Sequence, residues 1–398
     1  MLRAVVDTQL CRMIEWLIAM GTGIAPACTP CLRWSREWIH CNPVMRARTI
    51  VLEIVLAALL SPSVAFGFET DQYDLPPQPL ADIGPEVAAH VELKLRTAID
   101  KVNAEISAKE RCIAAGTGKP GLRGCADPDN EKSRLEYLRS EDAIAHEAFA
   151  QLGGGLPPFT SMGTWMDSHR FLAQPARYRT SLWKSIFILN PGIALTISPT
   201  VNLYGSEFGT DKIAHLFQQG YTYYKIYRHA LAEGASPAVA TNKAVRWGQK
   251  SERTFYGTLV GGVYSNADLC ANYLGLKFYQ GLTKPITIGN VTRSAVLEIR
   301  DGLWIIRGNA QELLLKPFIS EHLNEALNPS IFTRNLGWRW YIRRSVKKRS
   351  CAHWRERYPA VSKRAWEERS RALEFWYGED YGFTESEDFV TIANTCFS

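Results

Sequence analysis

The sequence predicts a mainly α-helical protein, a multi-helix domain with one small β-hairpin. Three observations lead there. Apolar residues recur at three- and four-residue spacing over long stretches, which marks helices with one buried face. Helix punctuation brackets those stretches, as in Gly153-Gly154-Gly155 and Ser265-Asn266-Ala267-Asp268. Strand signals are short, the strongest being Ser294 to Arg307 with Asp301-Gly302 at its turn. The 398 residues are 46% hydrophobic and 22% charged. That composition is globular, sufficient for one large domain or two small ones.

The N-terminal stretch is set apart from the fold. Met45-Arg46-Ala47-Arg48 is a short basic segment, Thr49 to Leu60 is apolar apart from Glu53, and Ser61 to Ala65 supplies small residues for cleavage. This order reads as a secretory signal peptide over 45–65, with the mature chain starting at Phe66 or Phe68. The apolar run is too short for a bilayer span of roughly 18 residues. Residues 1–44 carry Cys11, Cys28, Cys31 and Cys41 and no coherent period. They read as an upstream extension of a chain that starts at Met45. The expected location is therefore periplasmic or secreted, in a bacterial envelope.

An oxidising compartment follows, with Cys112, Cys125, Cys270, Cys351 and Cys396 left in the mature chain. Cys112 and Cys125 flank a Gly/Pro-rich loop and are expected to pair. Cys351 with Cys396 would tie back the C-terminal tail. Cys270, inside an apolar helix, is expected as a buried free thiol.

Residues 66–155 read as a helical hairpin with a disulfide loop. Glu86 to Ala108 and roughly Asn130 to Leu152 both show apolar residues at helical spacing. Residues 156–330 form the helical core region. Leu156 to Thr180 reads as irregular, Ile193 to Leu203 as strand. Helices are expected over Asp211 to Glu233, Ser236 to about Trp247, Ser251 to Val263 and Ser265 to Gln280, then from Gln311 toward Pro329. Residues 331–398 are polarised. Thirteen Lys/Arg face three Asp/Glu between Arg334 and Arg371, and six Asp/Glu follow with no Lys or Arg. The basic block 334–371 suits an anionic lipid or envelope polymer. Nucleic acid is not an expected partner of a secreted protein.

The stretch Gly209 to Gly281 carries the candidate site. Three polar pairs lie four residues apart in apolar surroundings: Asp211 with His215, Glu252 with Tyr256, and Asp268 with Asn272. Residues at that spacing share a helix face. Converging helices would gather Asp211, His215, Glu252 and Asp268 for acid/base work or for holding a divalent metal. Lys212, Tyr256, Ser265 and Asn272 would line the same place and bind substrate. Capping explains the carboxylates equally well, since Asp211 and Asp268 lie in first turns and Glu252 follows Ser251. Capping leaves His215, Tyr256 and Asn272 unexplained. Lys212, in a first turn where the dipole disfavours a cation, calls for a carboxylate neighbour or an anionic ligand. His169 reads as a loop brace. His322 beside Glu321 and Glu325 has metal-like spacing but reads as part of an exposed face.

The pattern D-K-x-x-H, then an isolated Glu, then S-x-x-D-x-x-x-N-x-x-G resembles the VanZ-like proteins and related small bacterial envelope lipoproteins. Asp211, Lys212, His215, Glu252, Ser265, Asp268, Asn272 and Gly275 stand at the matching positions. The resemblance covers about 70 residues and implies a shared helical core in an envelope protein. The chain is longer than that family and carries a signal segment. It lacks the glutamine that accompanies the family's Glu.

The reading favoured here is a non-catalytic or structural envelope-associated helical domain. The alternative is an envelope hydrolase using the Asp/His/Glu/Asp cluster, with metal assistance.

Overall fold

The computed structural model describes residues 69–115, 127–155, 160–189, 197–254, 257–258, 262–308, 314–332 and 336–397. The signal segment, Cys125 with its expected bridge to Cys112, and Tyr256 lie outside them. The fold is mainly α, with small sheets. No described helix is long and apolar enough to cross a membrane.

The first helix, α1 (Gly84–Ala115), buries Val87, Val91, Leu95, Ala98, Val102 and Ile106 along one stripe. Two helices lie against it where one was expected. They are α2 (Pro128–Leu138) and α3 (Glu141–Leu152), parted at Arg139-Ser140 because the Ser140 hydroxyl caps a new helix at the Ala143 amide. A helix also occupies part of the stretch expected to be irregular. It is α4 (Ser161–Ser168), capped by Thr160.

The strand β4 (Thr200–Leu203) turns at Tyr204-Gly205, both with positive φ, into β5 (Ser206–Gly209). Strand β2 (Arg177–Tyr178) joins that pair on the β4 side. Strand β1 (Glu69–Thr70) runs parallel to β3 (Ile197–Ser198). Helix α5 (Thr210–Ala214) starts directly from β5. A π-turn over His215–Gln219 continues it into α6 (Gly220–Ala232).

Helix α7 (Pro237–Glu252) corrects the boundary expected near Trp247 and the helix expected from Ser251. Ser236 caps it, and it runs on until Glu252, so Glu252 closes a helix rather than opening one. After it, β6 (Val263–Ser265) leads into α8 (Asn266–Thr283), whose residues from Asn266 to Leu276 are all buried. A side chain at Gly275 would meet the Leu216 carbonyl oxygen at 1.9 Å, and one at Gly220 would meet Gly275 Cα at 2.4 Å. Only glycine pairs let α8 and the π-turn helix approach this closely.

Strands β7 (Ile286–Ile288) and β8 (Val291–Arg293) form one hairpin, β9 (Leu297–Arg300) and β10 (Leu303–Ile306) the next. The second turns at Asp301 and Gly302, both at positive φ, as Asp-Gly requires. Leu314 is helical, but the helix expected from Gln311 toward Pro329 does not continue over residues 315–329. They hold two 3₁₀ turns, Lys316–Phe318 and Glu321–Leu323, and a loop built on Asn324 and Asn328. Strand β11 (Ser330–Phe332) then pairs with β6 on one side and with β12 (Phe389–Val390) on the other.

The C-terminal helices are α9 (Leu336–Arg349), α10 (Cys351–Arg357), α11 (Lys363–Arg371) and α12 (Ile392–Cys396). They bury Trp338, Trp354 and Trp366 with Tyr73 and Phe332 in a second apolar cluster. Trp354 and Trp366 meet edge to face at 5.6 Å, and the indole N–H of Trp354 donates to the Tyr73 carbonyl. A disulfide joins Cys351 to Cys396, and Cys270 is a buried free thiol. Arg339 pairs with Asp388 of the acidic tail, but Arg357 and Arg369 pair with Glu207 and Glu321 outside it, and Arg364 pairs with Glu368 within the block.

Candidate functional site

Lys212 is the centre of the site. Its side chain is 0% exposed, and its ammonium donates to Asp211 Oδ2, Asp268 Oδ1 and Glu325 Oε1, each at 2.5 Å. All three ammonium protons are thus used. Burial alone would push Lys212 toward the neutral amine. Asp211, Asp268, Glu325 and Glu69 outweigh that and raise it well above the usual lysine range.

Each carboxylate comes from a different element. Asp211 leaves the first turn of α5 and also accepts a hydrogen bond from Thr70 Oγ1 at 2.6 Å. Gly209 sits against this contact, and a side chain there would fall 2.0 Å from that hydroxyl. Thr210 does not cap the helix; it donates to Asp167. Asp268 lies in the first turn of α8, where the Ser265 hydroxyl accepts from its amide. The same hydroxyl donates to Glu325 Oε1 at 3.1 Å. Glu325 is presented by the Asn324 loop, its own amide held by Gln72 Oε1. Glu69, on β1, is buried beside them.

His215 follows Lys212 by three residues, at the start of the π-turn. Its Nδ1 is 3.1 Å from Asn272 Oδ1, and its Nε2 is 3.7 Å from Asp268 Oδ2. Its side chain is 16% exposed, whereas those of Asp211, Lys212 and Asp268 are at most 3% exposed. Glu252, fully buried at the end of α7, brings one carboxylate oxygen within 4.8 Å of ligand atoms on His215 and Asp268. Among the described residues neither Glu252 oxygen makes a hydrogen bond of ordinary geometry, and the Ser265 backbone N–H is a weak partner of its carboxylate.

The charges are arranged unequally. Burial first, then the negative charge of Asp268, pushes Glu252 well above the usual carboxylate range. Burial also raises Glu69, and it raises Glu325 to about 7 despite Lys212. Asp268 goes the other way. Burial opposes its charge, but His215 and Lys212 together hold it below the ordinary aspartate range. The cluster thus keeps Asp268 and Lys212 charged while Glu69 and Glu252 favour their protonated forms.

The structure brings together Asp211, Lys212, His215, Glu252, Ser265, Asp268 and Asn272 of the residues singled out from sequence. Tyr256 is outside the described residues. Glu69 and Glu325 join the site without having been assigned to it. The demand of Lys212 for carboxylates was the signal that pointed to such partners, but it named no positions. Glu325 was expected on an exposed face with Glu321 and His322. Instead, Glu321 pairs with Arg369, and His322 bridges Ser320 and the Phe375 carbonyl. His169 pairs with Glu86 at 2.8 Å and braces the loop after α4.

No family model, curated protein or solved structure matches this chain.

Proposed function

We propose that this is a non-catalytic, envelope-associated helical protein that docks on an anionic membrane surface. One observation carries the reading: the exposed face of α9. Trp340, Arg344, Lys347 and Lys348 recur at helical spacing on the side opposite buried Trp338, Ile342 and Val346. The Arg344 guanidinium lies 5.1 Å from the Trp340 ring centre, and Trp340 is 62% exposed. Arg349 bonds the carbonyls of Trp183 and Lys184, which adds a second exposed indole, Trp183 at 75%. Exposed indoles flanked by lysine and arginine suit a headgroup interface, where each cation contributes about 1 kcal/mol.

Most of the wider basic block is committed within the protein. Arg343 donates to the Phe389 carbonyl, Arg355 to the Cys396 carbonyl, Arg357 to Glu207, and Arg369 to Glu321. The proposed contact is therefore narrower than residues 334–371.

A location outside the cytoplasm is supported by the signal-like order of residues 45–65 and by the Cys351–Cys396 disulfide. The resemblance to VanZ-like envelope proteins fits the same reading. The hydrolase alternative has less support. Asp211, Glu252 and Asp268 are all buried, and of the four acid/base candidates only His215 reaches solvent.

The test is co-sedimentation of the purified protein with phosphatidylcholine vesicles, with and without phosphatidylglycerol. Binding should require the anionic lipid and fall as salt is raised. Arg344→Ala/Lys347→Ala/Lys348→Ala should weaken it about a hundredfold, following the loss of three interfacial cations, while the melting temperature stays unchanged. Equal binding to neutral vesicles, or none at low salt, would overturn the reading. Binding to an anionic polysaccharide but to neither vesicle would also overturn it.

A further inference from the structure

We infer that His215, Glu252 and Asp268 form a binding site for a divalent cation of the zinc or manganese class. The inference is independent of the docking face on α9.

Geometry supplies the first argument. One ligand atom from each residue lies within 4.8 Å of the other two. His215 Nε2 and Asp268 Oδ2 are 3.7 Å apart. Two ligands of one tetrahedral ion with bonds of about 2.0–2.1 Å stand about 3.4 Å apart, so the His215–Asp268 pair is already close to that spacing and Glu252 has to close from within 4.8 Å. The second argument is Glu252. Both its oxygens are buried, and among the described residues only a weak contact with the Ser265 backbone N–H offsets their desolvation. A cation shared with His215 and Asp268 satisfies the group.

The surroundings are those of a metal ligand set. With Nδ1–H donating to Asn272 Oδ1, the His215 ring is fixed and Nε2 keeps its lone pair for a cation. Asp268 commits Oδ1 to Lys212 and leaves Oδ2 on the His215 side. The other close carboxylate group, Glu69 with Asp268 and Glu325, does not need a metal. The Lys212 ammonium already stands 2.5 Å from both Asp268 and Glu325. One imidazole and two carboxylates favour a borderline first-row ion over calcium or magnesium, which prefer oxygen alone. His215, partly exposed, gives the ion its route from solvent.

The test uses the full chain, stripped with EDTA and titrated separately with Zn(II) and Mn(II). Bound metal is read by mass spectrometry after gel filtration, beside thermal melts. One ion per chain and a raised melting temperature are expected. Glu252→Gln should lower the affinity about tenfold or more while the metal-free variant melts no lower than the wild type. Glu69→Gln should still bind. If neither ion binds the stripped wild type, the inference fails without recourse to any variant. It fails equally if Glu252→Gln binds as tightly as the wild type.

Discussion

The crossing of α5 with α8 and the tryptophan cluster of α9 to α12 are both buried, yet different forces hold them. At the crossing, one ammonium ties three carboxylates from three elements, and just beyond it the Gly220–Gly275 pair lets the start of α6 touch α8. In the cluster, indole rings pack edge to face, and a disulfide closes the chain over 45 residues. The first arrangement is stringent, because every charge removed strands another in a medium of low dielectric. The second is tolerant, because apolar contacts lose energy in proportion to what is deleted. The strand β11 touches both regions through β6 and β12, so each can be broken while the other reports.

The largest expected effect comes from Lys212→Met, which keeps the volume and removes the charge. It should cost about 3–5 kcal/mol, the range for breaking one side of a buried ion pair. Glu325→Gln on that background should recover part of the loss. Chemical denaturation of the three proteins checks this. A Lys212→Met variant as stable as the wild type would mean that the charges do not organise the crossing.

Asp71 tests whether the tryptophan side also hides a charge. It accepts from the Ile186 amide and is fully buried, and burial raises its carboxyl to about 7. In the unfolded chain it titrates near 3.9. The folded protein therefore holds a proton that the unfolded chain has released. The associated stability is full below about pH 4 and is lost as pH rises through about 7, by roughly 4 kcal/mol. Asp71→Asn should flatten that part of the stability–pH curve. Curves with the same slope for variant and wild type would show that Asp71 is ionised in the folded state.

An effect no larger than that of Asp71 is expected from Cys351→Ser. Opening the Cys351–Cys396 bridge should cost up to about 4 kcal/mol, chiefly by freeing the unfolded chain. Metal binding at His215, Glu252 and Asp268 should remain. Melts under reducing and oxidising conditions, beside the zinc titration, check both statements. Loss of metal binding in step with stability would mean that the two regions are not separable.

Local chemistry was enough to place much of this molecule. Ser265 begins α8, Asp301-Gly302 turns its hairpin, and the apolar stripe of α1 runs where its spacing put it, because caps, turns and helical period act between residues a few positions apart. The polar pairs Asp211/His215 and Asp268/Asn272 were legible for the same reason. Cys351 and Cys396 were named as a pair by their compartment and place in the chain. Other features depended on contacts across the chain. The break at Ser140, the extension of α7 to Glu252 and the loop in place of a helix before Pro329 are boundary decisions between nearly equal local options. Glu69 and Glu325 entered the site because β1 and the Asn324 loop fold against α5 and α8, 143 and 113 residues away from Lys212 along the chain. Sequence could say that a lysine buried in a first helical turn needs carboxylates. Which carboxylates reach it is set by tertiary packing, since Coulomb attraction in a dry interior acts on distance in space and is blind to distance along the chain.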